Sequence, residues 1–427
     1  MTGDPIHRLF EGDPRALVDA ADASLEALEA RIEPAAVACF EPRMRGLQGH
    51  FPLLVDAYDR LCTNAGLAMN VFHHRDWHAA RPNRWHGAFP LVDHLVGAGR
   101  PVDHFVLDAY TEMTREIVAG CAAHSGAKVA LFPTARYLTL PGIAGAVRET
   151  AGLRAVVVGV METAPVPDCD DIELVTEAFR GAATLLADIG KDVLLVAESA
   201  ALADALVGYG FDAGQVQIAP YPAAARFDTP GETLRAGAPA RIGALGATRP
   251  VHQPERLAVY LLEAGLKNTD WRVRLDPTHA AVPLGMTPDD LEAALRERGV
   301  TLMPRQLSQH EYDATLAALD VMLLPYGERY RTIGSGIFLE CVCAGVVPLV
   351  PARSTMRALY ERLGGAAPAI AGSSPADLAA AVDACLSGLP ALRTNALAVR
   401  QAWLAHEHGP AAWRRRVGAL IERACAE

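Results

Sequence analysis

A glycine-serine-glycine turn, Gly334-Ser335-Gly336, precedes an apolar stretch with helical spacing, and Glu340 follows Gly336 at i,i+4. The first amides of a helix lack partners within it and carry the positive end of its dipole, so such a start can hold an anion. Glycine there lets the anion approach the backbone closely. Glu340, on the Gly336-facing side, offers a carboxylate able to accept two hydrogen bonds from neighbouring hydroxyls. The competing reading is a tight turn followed by a solvated glutamate.

Two familiar phosphate loops are absent. There is no GxxxxGK followed by Ser or Thr. Gly334-Ser335-Gly336 lacks the third glycine of GxGxxG, with Leu339 where it would fall, and Gly243-Ala244-Leu245-Gly246 has the wrong spacing. Nucleotide hydrolysis and nicotinamide chemistry are therefore not expected. The chain's 39 basic and 50 acidic residues leave a net charge of −11, which repels a phosphate backbone, so no nucleic-acid partner is expected. No run reaches the roughly 18 to 20 apolar residues of a membrane helix. The first residues have no basic stretch leading into an apolar core, so no secretory signal is expected. The eight cysteines are scattered without a CxxC pair and read as reduced core thiols of a cytoplasmic protein.

At 427 residues and 51% hydrophobic, the chain has material for two cores. Short runs rich in Val, Ile and Leu alternate with amphipathic stretches, the signature of βαβ units in doubly wound parallel sheets. The expected architecture is α/β, with two Rossmann-like domains facing a central cleft. The expected divisions are an N-terminal helical segment packing on the body over 1–34, a first domain over 35–235, a second over 236–405, and a C-terminal helix over 406–427 crossing back to the first domain. The Pro-, Ala- and Gly-rich stretch Tyr221–Pro239 is the expected linker. Expected strands include Ala36–Phe40, Ala68–Phe72, His104–Leu107, Lys128–Phe132 and Ala155–Val160 in the first domain. In the second they include Ala240–Leu245, Trp271–Leu275, Val321–Leu324 and Val347–Val350.

The order of segments in the second half is more particular. Leu307-Ser308-Gln309-His310-Glu311-Tyr312 is followed by Leu319-Asp320-Val321-Met322-Leu323-Leu324-Pro325-Tyr326, then by Gly334-Ser335-Gly336 with Glu340, then by Ala344-Gly345-Val346-Val347-Pro348-Leu349-Val350. This order resembles the C-terminal domain of GT-B-fold glycosyltransferases, particularly the large retaining group called family four. The resemblance extends back to Ile242-Gly243-Ala244-Leu245-Gly246 and Ile218-Ala219-Pro220-Tyr221-Pro222, and more weakly to Gly46-Leu47-Gln48-Gly49-His50.

The resemblance implies retaining transfer of a hexose-type sugar from a nucleoside-diphosphate sugar to a hydroxyl-bearing acceptor: a glycan, lipid-linked sugar, small molecule or protein. It implies no cofactor beyond that donor and no metal, and a peripheral membrane contact is compatible with it. Gly246, Arg249, Tyr330, Arg331, Gly334, Ser335, Gly336 and Glu340 fall at donor-binding positions. Arg249 would meet the leaving pyrophosphate; its plain reading is a surface arginine. Arg249 and His50 are the catalytic candidates. The sequence departs from the family where a lysine is replaced at His252, where Gln253 stands for a glycine, and where the first of a pair of glutamates falls on Thr332, Glu328 lying four positions early. A nucleotide-sugar epimerase of the same fold, or a non-catalytic sugar- or partner-binding descendant, are the alternatives.

Seven of the fourteen histidines fall between His50 and His104. His74 and His78 are spaced i,i+4, but two ligands do not make a metal site. An acceptor pocket is the expected use, with His50, His74, Trp77 and Glu162 as its residues and a Trp face against a sugar ring. His50 reads equally as a capping or interdomain histidine. Ser308 with Glu311 forms a capping box, and Asp320 reads as structural.

Overall fold

The computed structural model describes residues 8–426 apart from 10–11, 14, 45–49, 77–83, 91–101, 162–170, 188, 221–226, 228–237, 248–251, 265, 267 and 305–306. The chain divides into two compact units, residues 1–219 with 412–427, and residues 220–411. The division falls just before the Pro-, Ala- and Gly-rich stretch that begins at Tyr221.

The first unit runs α1 (Ala16–Leu28), β1 (Val37–Glu41), α2 (His50–Asn64), β2 (Met69–His74), β3 (Trp85–Phe89), α3 (His104–Ser125), β4 (Val129–Ala135), α4 (Leu140–Glu149), β5 (Ala155–Val160), α5 (Ile172–Leu186), β6 (Asp192–Ala197), α6 (Ala200–Gly208) and β7 (Val216–Ile218). Among the described residues these strands form one sheet, ordered β3-β2-β1-β4-β5-β6-β7 and parallel throughout. Every residue of β1, β2, β4 and β5 is buried, because helices cover both faces. On one face Phe132, Phe40 and Phe72 stack at 5.1 Å spacings across three strands, against a core that includes Val106, Tyr110 and Ile117 of α3. That row is the centre of the unit.

One expected strand is a helix. His104–Leu107 opens α3, because the Asp103 carboxylate accepts the Val106 amide at 2.9 Å and caps the helix. Val106, Tyr110, Met113 and Ile117 then bury one stripe at helical spacing. Conversely, β3 has no β-branched residue to announce it and is held by pairing with β2.

The second unit runs β8 (Ala240–Ala247), α7 (Pro254–Glu263), β9 (Thr269–Leu275), α8 (Pro277–Ala281), α9 (Pro288–Glu297), β10 (Val300–Leu302), α10 (Gln309–Ala317), β11 (Val321–Leu323), α11 (Gly336–Ala344), β12 (Val347–Pro351), α12 (Thr355–Arg362), β13 (Ala369–Ile370), α13 (Pro375–Ser387) and α14 (Leu389–Ala405). Its strand order, β10-β9-β8-β11-β12-β13, repeats the winding of the first sheet, with all pairs parallel. A last helix, α15 (Pro410–Ala426), packs on the first unit: Trp413 meets Tyr58 edge-on, and the Lys128 ammonium donates to the Cys425 carbonyl at 3.1 Å.

Both sheets reverse direction beside their first strand, after β1 in one and β8 in the other. The chain winds outward through two strands and returns on the opposite side, leaving a crevice at the carboxyl ends of β1 and β4, and of β8 and β11. In the second unit this point is anchored from below. Asp320, fully buried just before β11, accepts the Arg241 amide at 2.9 Å, which locks β11 to β8. Two buried arginines of α14 then hold the far end of α11: Arg400 donates to the Cys343 carbonyl at 2.6 Å and Arg393 to the Gly345 carbonyl at 3.0 Å. They satisfy open carbonyls and complement the negative helix end. Gly345 closes the helix at φ 70°, where a side chain would be strained.

Candidate functional site

The crevice between β8 and β11 is built by the start of α11, the turn before it and the ends of β8 and β9. Ser335 caps α11 by accepting the Phe338 amide at 3.2 Å. The turn over 328–334 is tied to the start of α12, where the Thr355 hydroxyl donates to the Ile333 carbonyl at 2.6 Å. The helix start is therefore held from both sides.

Three rings fill the space beside it. His252 stacks on Tyr326 with centroids 4.6 Å apart, Tyr326 lies 4.3 Å from Tyr330, and the Tyr330 hydroxyl and His252 Nε2 are 2.9 Å apart. Burial pushes the Tyr326 phenol well above its ordinary value; neighbouring Tyr330 adds to the rise and a hydrogen bond with Ser335 opposes it. Tyr326 stays neutral at physiological pH. Gly246 faces this cluster: a Cβ there would lie 2.5 Å from the Tyr326 hydroxyl and 2.8 Å from Ile337 Cδ1. Only glycine fits at the end of β8 with these rings in place.

Glu340, the fifth residue of α11, is buried at 5% exposure, and its Oε2 accepts the Tyr312 hydroxyl at 2.6 Å. Tyr312 projects from the first turn of α10, whose start is fixed by a reciprocal Ser308–Glu311 capping box. Arg274, near the end of β9, lies close enough to interact with Tyr312; burial lowers its guanidinium below the ordinary arginine value, and the phenol partly opposes that.

The expected donor-site residues Gly246, Tyr330, Gly334, Ser335, Gly336 and Glu340 all belong to this end of the second unit. Tyr330 is a buried member of the ring cluster. Arg331 is half exposed and paired with exposed Glu328 on the same 3₁₀ turn, a weak, solvent-screened contact. Arg249, Trp77 and Glu162 lie outside the described residues, as does the His50 side chain, although His50 begins α2. The His74 ring is buried at the end of β2, where its Nδ1 accepts the Asp76 amide at 3.0 Å and closes a turn. Because an amide only donates, Nδ1 is unprotonated there. Gln253, standing for the family's glycine, adopts φ 52°, so the backbone keeps a glycine-like conformation without the glycine.

The equivalent crevice of the first unit carries different chemistry. Glu41, the last residue of β1, is fully buried, with the Thr134 hydroxyl 2.8 Å and 2.7 Å from its two oxygens and the Arg43 amide at 3.2 Å. The sequence singled out neither Glu41 nor the Tyr312–Glu340 pair. Partners 93 and 28 residues apart leave no local signal. Among the described residues no group of three or more His, Cys, Asp or Glu side chains could hold a metal ion, and no helix is long and apolar enough to cross a membrane.

No protein-family model matches the chain, and no curated protein matches it in sequence. Solved structures do match in fold. Sucrose-phosphate synthase from Thermosynechococcus elongatus superposes with a TM-score of 0.62 at 14% identity, covering 93% of this chain and 100% of that one. A UDP-forming α,α-trehalose-phosphate synthase from Burkholderia xenovorans gives 0.60 at 12% identity, over 92% and 100%. A structure from Listeria monocytogenes assigned as a UDP-N-acetylglucosamine 2-epimerase gives 0.55 at 14% identity, over 91% and 96%. The likeness establishes the fold: the chain has the two parallel-sheet α/β units of GT-B glycosyltransferases.

Proposed function

We propose that the protein is a glycosyltransferase that binds a nucleoside-diphosphate sugar at the β8–β11 crevice of its second unit and transfers a hexose-type sugar, with retention, to a hydroxyl acceptor. The observation that carries this reading is the buried Glu340 carboxylate on the helix that starts at Gly336, beside the close-packed Gly246. The helix start suits a diphosphate and the carboxylate suits ribose hydroxyls. Fold neighbours that form UDP, or are named for a UDP-sugar, support the donor class.

In this reading the protein supplies alignment and charge, and the leaving phosphate takes the acceptor proton on the same face of the sugar. Arg249 and the amides at Gly334–Gly336 stabilise the diphosphate as the glycosidic bond breaks, with no metal required. Tyr330 and Arg331 lie on the turn assigned to the donor. The first unit takes the acceptor, with His50, His74, Trp77 and Glu162 as its candidate contacts and His50 at the transferred sugar. The work is assigned to a cytoplasmic protein.

The test is release of free nucleoside diphosphate from UDP-, GDP- and ADP-hexoses in the presence of hydroxyl acceptors. Activity should persist in a chelator, and Arg249→Ala should lower turnover about 100-fold with a smaller effect on donor binding. The epimerase reading has one specific support, the Listeria neighbour. Incubating donor alone separates the two: a new sugar isomer supports epimerisation, and an unchanged donor supports transfer.

A further inference from the structure

We propose that Arg256 is a positioning residue for the crevice of the second unit: its hold on Gln253 keeps the His252 ring in the cluster beside Gly246. The inference rests on the donor-site reading above and adds to it a residue on which the ring cluster depends.

Gln253 stands immediately before Pro254, where α7 begins, with a left-handed φ of 52°. That conformation is costly for a residue with a Cβ, and the following proline disfavours the helical alternative, so a released Gln253 would move to extended backbone. The move would redirect His252, whose ring stacks on Tyr326 at 4.6 Å and whose Nε2 lies 2.9 Å from the Tyr330 hydroxyl. Gln253 does not cap α7 with its side chain. Its Oε1 instead accepts Arg256 Nη1 at 3.3 Å, one turn on.

Arg256 is itself fixed from a second element. Its Nη2 donates to the Gly372 carbonyl at 2.5 Å and the Ser374 carbonyl at 3.3 Å, in the turn between β13 and α13. A Cβ at Gly372 would lie 2.6 Å from Asp377 Oδ2, and Ser374 and Asp377 close a reciprocal capping box, so the turn is a firm support. The placement is electrostatically costly. A guanidinium at 7% exposure in the first turn of a helix meets the positive end of the dipole, and the three acceptors it reaches are neutral. Burial lowers it from the ordinary arginine value, with Asp377 and Glu255 partly opposing. A residue that breaks a local rule in this way is expected where a site needs it.

The test is a rescue, read by nuclear magnetic resonance of histidine rings and by calorimetric titration of the full chain. Arg256→Met should displace the His252 ring signals, assigned by their loss in His252→Gln, toward those of exposed His279 and His310. It should weaken binding of whichever of UDP, GDP and ADP the wild type takes by about tenfold. Glycine adopts a left-handed φ without a clamp. Adding Gln253→Gly to Arg256→Met should therefore return the His252 signals and bring the affinity within about threefold of the wild type. A merely structural loss at the Gly372–Ser374 turn would not be repaired by a change at Gln253. Arg256→Lys, which keeps the charge and loses the fork, serves the same comparison should the Met variant fail to fold. If the His252 signals stay in place without Arg256, or the double variant fails to restore them, the positioning role is overturned. If His252 moves and nucleotide affinity holds, its part in binding is overturned. If no nucleoside diphosphate binds the wild type, the donor-site reading falls and the ring signals alone decide the hold on His252.

Discussion

At the end of β1 the chain places Glu41, and at the end of β8, the corresponding point of the second sheet, it places Gly246. Both strands lead their sheet, both border the strand that returns, and both open on a crevice at the carboxyl edge. In the first unit that edge holds a fully buried carboxylate closed over by Thr134 and a loop amide. In the second it holds a glycine, a capped helix start and a cluster of neutral rings. The proposed reading sets the diphosphate against the backbone of the second, where glycine leaves room for it. The winding is common to both units, and the residue at the strand end differs.

The largest effect should come from making the second crevice resemble the first. Gly246→Asp puts a Cβ 2.5 Å from the Tyr326 hydroxyl and adds a negative charge where the diphosphate is assigned. The overpacking should cost about 1–3 kcal/mol of stability, read from denaturant melts. Nucleotide binding should fall below detection in a thermal-shift assay.

Next in size is Glu340→Ala. Losing a carboxylate that accepts hydroxyl donors should weaken nucleoside-diphosphate binding by about 10- to 100-fold, about 1.4–2.7 kcal/mol. Pyrophosphate binding should change little, because the helix start remains.

Glu41→Gln probes the other side of the comparison. It leaves the Thr134 hydroxyl a neutral partner and should cost about 1–2 kcal/mol by melting, with nucleotide affinity as in the wild type. A lost affinity would move the nucleotide to the first unit.

The smallest effect is at Gln253, whose left-handed φ of 52° suits glycine. Gln253→Gly should relieve the strain and stabilise the protein by about 0.5 kcal/mol, detectable as a raised melting midpoint without a change in nucleotide affinity.

Much of this architecture was legible in the sequence, for a physical reason. Strands of a parallel sheet covered on both faces must be apolar along their length, so Ala155–Val160 and Val321–Leu324 announce themselves. His104–Leu107 misled because Phe105-Val106-Leu107 has the same composition, and only the Asp103 cap shows that it opens a helix. The strand Trp85–Phe89 stayed hidden because its pairing with β2, not its residues, makes it a strand.

The site divides in the same way. Gly334, Ser335, Gly336 and Glu340 lie on one turn and one helix, so their spacing is visible in sequence. Tyr312 reaches that helix from α10 and Tyr326 its cap from beyond β11, while Arg274 of β9 interacts with Tyr312 and His252, on the approach to α7, stacks on Tyr326. The β10-β9-β8-β11 order brings them together, and no local pattern records that order.

The most direct test of the comparison is calorimetric titration of UDP, GDP and ADP into the wild type, Glu340→Ala and Glu41→Gln. The account predicts that the wild type binds at least one of the three, that Glu340→Ala binds it at least about tenfold more weakly, and that Glu41→Gln binds it as the wild type does. It is contradicted if none of the three binds the wild type, or if the affinity survives in Glu340→Ala and is lost in Glu41→Gln.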